Sequence, residues 1–239
     1  MPIALLDLTL PSLAENLALD EVLLLEAEDG RAGEVLRFWE WRTPAVVLGA
    51  GGKIEEDVEL RNCMLDEVPI QRRSSGGGTV LLGSGCLLFS LILRTDRDPT
   101  LCEVRSSYRW ILERIRGALS PLLASEQLGI SDLATTELKF SGNAQQRKRD
   151  HLLHHGTLLY NFSIEQVSRY LKLPEKRPEY RAGRSHIAFL TNLSASPEEL
   201  KKRIAKAWDV NESPVAIPKP RIMELVNQKY NLGEWVHRR

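Results

Sequence analysis

Two stretches of the chain concentrate the residue types from which a ligand site is built. Residues 72–80 read RRSSGGGTV, and residues 138–162 read LKFSGNAQQRKRDHLLHHGTLLYNF. Three consecutive glycines lack Cβ atoms and lose much entropy on ordering, so they weaken a strand unless something approaches the main chain closely. The segment is no Walker loop, because no GK[ST] closes it, and it does not match the GxGxxG fingerprint. Nor is it a two-residue hairpin turn. A main chain lying flat along a ligand, with Arg72 or Arg73 near an anionic group, accounts for the composition. The plainer account is a glycine-rich turn beside solvated arginines.

In the second stretch Lys139 stands among β-forming residues, three before Gly142. A lysine in a strand is commonly a solvated edge residue, and the alternative is an inward-pointing cation. His154 and His155 are adjacent, so on a strand they face opposite sides and do not readily ligate one ion. Three cysteines, Cys63, Cys86 and Cys102, show no CxxC spacing and are odd in number. They make neither a disulfide framework nor a zinc site, and they suit a reducing compartment. Cys86 begins the apolar run CLLFSLIL, where a cysteine reads as packing.

The surrounding elements are legible from spacing. Ser12 and Glu15 form a capping box for a helix over about 12–27, with Leu13, Leu17, Val22 and Leu24 as an apolar stripe. VLRFWEW, PAVVLGAG, VPIQRR, TVLLG and CLLFSLIL are β-rich runs divided by Gly and Pro. Val104, Tyr108, Ile111, Leu112, Ile115 and Leu119 predict a helix over 103–120. ELKFSGNAQQ and HLLHHGTLLYNF flank the polar turn RKRD as a hairpin, and helices are expected at 164–172, 197–208 and 219–230. Strands followed by helices predict an α+β fold with a mixed, mostly antiparallel sheet. The expectation is one catalytic domain over 1–239, with a C-terminal helical extension at about 210–239. Lys plus Arg equal Asp plus Glu at 32 each, which argues against a nucleic-acid binder. The apolar N-terminus is interrupted by Asp7, Glu15, Asp20 and Glu21 and has no basic leader, so a signal peptide or membrane span is not expected. A soluble cytoplasmic protein follows as the expectation.

Taken together, RRSSGGGTV, KFSGNAQ and HHGTLLYN closely resemble the lipoate–protein ligase family, which also includes octanoyltransferases and, more distantly, biotin ligases. AENLALDEVLL, FWEWRTPAVVLG and KYNLGEW are similar to the same catalytic domain, so the resemblance spans roughly residues 5–236. It implies that Arg72, Arg73, Ser75, Gly76, Gly77, Gly78 and Thr79 line the pocket for a lipoyl or octanoyl chain and its adenylate, together with Gly142, Asn143, Ala144, His155 and Gly156. It places the family's motif lysine on Lys139, as the catalytic cation beside the reacting carboxyl. Asp132 matches one position of an Asn-Asp pair, with Ser131 replacing the Asn, which implies an Mg²⁺ or nucleotide contact there.

Three chemistries belong to this family: an ATP- and Mg²⁺-dependent ligase, an octanoyltransferase using acyl carrier protein, and a lipoyl amidotransferase. The two transferases resemble each other in using a cysteine thioester. The stretch GISDLATTELKFSG before the lysine motif holds no cysteine, and none follows Cys102. A ligase acting on lipoate or octanoate is therefore favoured, with Cys86 as the alternative nucleophile and a non-catalytic acyl- or acceptor-binding homologue as a further alternative. The implied partner is a lipoyl-acceptor domain, such as that of a 2-oxoacid dehydrogenase E2 or a glycine cleavage H protein. Many such ligases carry an accessory C-terminal domain that has no counterpart expected here. Either a separate small subunit supplies it, or one domain suffices, or the chain is a transferase.

Overall fold

The computed structural model describes residues 2–175, 177–211 and 213–238. Eleven strands form two sheets among these residues. They are β1 (Ile3–Asp7), β2 (Val35–Glu40), β3 (Ala45–Leu48), β4 (Ile70–Arg72), β5 (Val80–Leu82), β6 (Cys86–Arg94), β7 (Glu126–Leu128), β8 (Asp132–Thr135), β9 (Leu138–Arg147), β10 (His151–Leu159) and β11 (Val210–Asn211). Eight of them make one sheet in the order β11-β1-β2-β6-β10-β9-β8-β7, and β4-β3-β5 make a smaller one. Pairing is antiparallel except at β1–β11, β1–β2 and β3–β4, so the sheets are mixed and mostly antiparallel, as expected. The short outer strands β1, β7, β8 and β11 were not legible as runs, because edge pairing asks little of side-chain pattern.

The large sheet is buried on both faces, which period-two alternation makes possible. Along β6, Leu87, Phe89, Leu91 and Leu93 join the core under the helix Val104–Leu119. That helix buries Tyr108, Ile111, Leu112, Ile115 and Leu119, while Val104 is exposed at its N-terminus. Cys86, Leu88 and Ile92 face the other way, into the core shared with the helix Leu13–Glu28 and the small sheet. Ser12 and Glu15 form the reciprocal cap of this helix. It is not a one-sided stripe, however. Twelve of its sixteen residues are buried, including Asn16, Asp20 and Glu21, because sheet, small sheet and C-terminal segment enclose it.

The hairpin β9–β10 forms in the register Leu152↔Arg147 to Gly156↔Asn143. On β10, His154 stacks with Phe89 and meets Tyr108 edge-on, while His155 reaches Asp20 and Ser75 on the opposite face. The expected C-terminal extension packs into the main core rather than beside it. Ile222, Val226 and Tyr230 are buried against the first helix, and Lys229 and Tyr230 both reach Glu21. No described helix is long and apolar enough to cross a membrane.

Candidate functional site

Two adjoining cavities open between the sheets. The smaller, about 150 Å³, has an apolar floor of Leu17, Trp39, Val47, Leu82 and Leu88, with Arg73, Asp20 and His155 among its walls. The larger, about 500 Å³, is lined on one side by Phe140, Leu159, Phe162 and Phe189, and on another by Pro178, Glu179, Arg181 and His186. Gly78, Thr79, Asp132, Lys139, Gly142 and Thr157 line both, so the two spaces meet at Lys139.

Lys139 is the inward-pointing cation and not a solvated edge residue. Its side chain is 26% exposed and its Nζ lies 2.8 Å from Asp132 Oδ1. Gly142 gives it room: a Cβ there would sit 2.9 Å from both Cε and Nζ of Lys139. Asp132 holds a second partner, since the Tyr180 hydroxyl donates to its Oδ2 at 2.7 Å. Burial and the neighbouring carboxylate push the Tyr180 hydroxyl well above its usual range, so it remains a donor. Both carboxylate oxygens of Asp132 are thus engaged by protein partners, Lys139 on one side and Tyr180 on the other.

The adjacent arginines have opposite fates. Arg73 lines the smaller cavity, where its Nη2 donates to Gly76 O at 2.6 Å and Gly78 O at 2.8 Å, and its Nε to Ser75 Oγ at 3.0 Å. Burial lowers its pKa to about 10, which leaves a cation beside an apolar cavity at neutral pH. Arg72 is absent from both linings. It is fully buried and its guanidinium ends on main-chain carbonyls of residues 49–52 and 235–238, so the expected ligand contact is replaced by a protein contact. A strand sends neighbouring side chains to opposite faces, so one arginine of the pair had to turn away.

Ser75 and Gly76 also lie off both linings. Ser75 is buried, its Oγ 2.6 Å from His155 Nε2. Gly77 adopts φ +86°, and a Cβ on it would meet Arg73 Nη2 at 2.9 Å, so this glycine answers to the protein's own packing. A Cβ on Gly76 or Gly78 would meet nothing within 4 Å. Gly156 is required because Asn143 Oδ1 would lie 1.9 Å from its Cβ. Asn143 itself donates to Ser131 O and Ser141 Oγ, leaning over Gly156 on the sheet face opposite Ala144 and His155. Thr79 donates to Asp57 Oδ2 at 2.6 Å.

Cys86, the alternative nucleophile, lies apart from both cavities. It is 0% exposed, outside both linings, and burial raises its thiol to about 12, where the reactive thiolate is essentially unpopulated. Cys63 is buried elsewhere, and Cys102 is exposed at the end of the turn Pro99–Cys102.

Residues 12–209 match the model of the lipoyl protein ligase A/B catalytic domain. The chain belongs to this family. It is 29% identical to an octanoyltransferase LipM of Carboxydothermus hydrogenoformans over 261 residues, covering 94% of each chain. A bi-partite lipoate protein ligase of Thermoplasma acidophilum, described with its E2 lipoyl domain, superposes with a TM-score of 0.85 at 24% identity over 99% of this chain and 96% of that one. A lipoate–protein ligase A bound with ATP gives 0.83 at 24% identity over 99% of both. The family makes this chain an enzyme of the lipoate ligase and octanoyltransferase group, and the two structures show that it shares their α+β fold.

One part of this family member's site escaped the motif reading. Arg37, fully buried on β2, pairs with Asp20 at 2.5 Å and with Asn16 Oδ1 at 2.6 Å. Asp20 also accepts from Ser90 Oγ at 2.7 Å and lies 3.7 Å from His155 Nδ1. Burial pushes the Asp20 carboxyl up, but Arg37 and His155 outweigh it and hold it below its usual range. Burial sets His155 below its usual range against the pull of Asp20. The chain Arg37–Asp20–His155–Ser75–Arg73 thus carries the glycine loop from beneath. Its signal in the sequence was Asn16 and Asp20, four apart and so on one face of the first helix.

Proposed function

We propose that this chain is an ATP-dependent lipoate–protein ligase. It joins the carboxyl of lipoate or octanoate to a nucleotide and passes the acyl group to a lysine of an acceptor domain. The observation that carries this reading is the meeting point of the cavities, furnished with the Lys139 ammonium while the only nearby strand cysteine, Cys86, faces away with its thiol raised to about 12. The apolar floor of the smaller cavity suits an eight-carbon chain, and the larger space beyond Lys139 suits a nucleotide.

In the first step a carboxylate oxygen bonds to the α-phosphorus of ATP and pyrophosphate leaves. Lys139 faces the oxygens on which negative charge gathers, and Asp132 with Tyr180 fixes its direction. Preorganised charge of this kind lowers a barrier by about 3–4 kcal/mol. In the second step the acceptor's neutral lysine amine bonds to the acyl carbon, AMP leaves with the electron pair of the broken C–O bond, and one proton is released. Arg73 holds the loop over the acyl chain through the Gly76 and Gly78 carbonyls.

A second reading is favoured by the 29% identity to an octanoyltransferase: direct transfer of octanoate from acyl carrier protein to the acceptor. Purified chain is incubated with a lipoyl domain and either lipoate or octanoate plus ATP and Mg²⁺, or octanoyl acyl carrier protein without ATP. The ligase reading expects the acceptor mass to rise only in the first arm. A rise only in the second arm overturns it in favour of transfer. A parallel arm with an added accessory ligase subunit tests whether a separate polypeptide completes adenylation, as the bi-partite archaeal ligase suggests.

A further inference from the structure

Arg72 lies beside the site without entering it, and the residues it holds are the last of the described chain. Its Nη1 donates to Gly49 O at 3.0 Å and Gly52 O at 2.6 Å. Its Nε donates to Trp235 O at 3.0 Å, and its Nη2 to Val236 O at 2.8 Å and Arg238 O at 3.1 Å. This buried guanidinium is satisfied by carbonyl dipoles, and burial, with the nearby Arg238 cation, lowers its pKa against the weaker pull of Asp57. What the arrangement achieves is geometric: one planar fork joins two segments far apart in sequence.

The contacts are reciprocal. Trp235 Nε1 donates to Arg72 O at 3.0 Å, and the Arg238 guanidinium lies 4.1 Å from the Trp235 ring centre while its Nε donates to Ala50 O at 3.0 Å. The 49–52 turn in turn supports the glycine loop. Ala50 N donates to Ser75 O at 2.7 Å, and Gly49 lies so close that a Cβ on it would sit 2.0 Å from Gly77 O.

We propose that residues 235–238 are a working part of the acyl site, a C-terminal strap that sets the glycine loop's position through Arg72, which is a positioning residue. This rests on the acyl reading of the smaller cavity. Loosening the strap moves the loop, not Lys139, which stands on β9; it therefore weakens acyl binding more than the chemical step.

The test uses the full chain with Trp235→Phe and Arg238→Ala together, and a second variant lacking residues 235–239. Amide hydrogen exchange of 73–79 and 49–52 is expected to quicken about tenfold while β9 and β10 keep their protection. KM for whichever acyl donor the unaltered protein uses is expected to rise about tenfold with kcat within about twofold. A peptide of residues 226–239 is expected to restore KM in the truncated form. Unchanged exchange at 73–79 in the folded double variant, or a fall in kcat at constant KM, overturns the strap. If truncation prevents folding, the double variant alone decides. Inactivity of the unaltered protein with every donor defeats the acyl reading and leaves the exchange result to judge the mechanical link.

Discussion

The two cavities meet at Lys139 yet are built by different means. The smaller one rests on central strands and the first helix, and its polar walls are tied to one another through buried charge: Arg37 to Asp20, and Ser75 to His155 and Arg73. One wall of the larger one is made by Pro174 and residues between 178 and 190, where the only regular element among the described residues is the turn Glu179–Arg181. That segment is held by side-chain contacts such as Tyr180 to Asp132, and by a short parallel bridge of Leu190 to Lys139. The comparison teaches that the smaller space is sized in advance by the fold, whereas the space beyond Lys139 depends on how a loop is docked. Lys139 belongs to both, since its own main chain carries that bridge.

The comparison is best broken from beneath. Asp20→Ala leaves the Arg37 guanidinium buried without its carboxylate, and a stability loss of about 3–5 kcal/mol is expected from chemical denaturation. A loss below about 1 kcal/mol, within the range of an ordinary surface ion pair, would show that the smaller cavity does not depend on the ionic floor. Lys139→Ala should lower turnover about 10²–10³-fold with the unfolding midpoint nearly unchanged. Near-normal rates in that variant remove the cation from the mechanism. Tyr180→Phe removes one hydrogen bond from Asp132, worth about 1 kcal/mol, and should raise the nucleotide KM several-fold while leaving acyl binding alone. An equal effect on acyl affinity would erase the distinction between the two spaces. The smallest effect is expected from Cys86→Ala. Activity should stay within about twofold, at a packing cost of about 1 kcal/mol, and no acyl thioester should be trapped in the unaltered protein. A thioester on Cys86 would replace nucleotide activation with sulfur.

The central strands, the 104–119 helix and the β9–β10 hairpin were readable because each has a burial pattern that its own residues repeat. The buried first helix was readable only as a helix. Its enclosure comes from the C-terminal segment, which is distant in sequence. The same distinction runs through the site. Lys139 was singled out by the family motif and the arginine pair without a choice between its members, and the spacing of Gly142 from Lys139 gained its meaning once the side chain was seen to lie across the glycine. Ser75 and Gly76 shared the motif but not the cavity.

From the sequence alone came the inventory: a glycine-rich loop with two arginines, a lysine in a strand, adjacent histidines on opposite faces, and no cysteine near the lysine motif. Tertiary structure decided direction. Alternation dictates that Arg72 and Arg73 diverge, but only long-range pairing determines which of them meets the cavity and which grips the C-terminus. It likewise placed Cys86 in the core and drew Asp20 and Arg37 together, because a buried charge is tolerated only where a distant partner is brought to meet it.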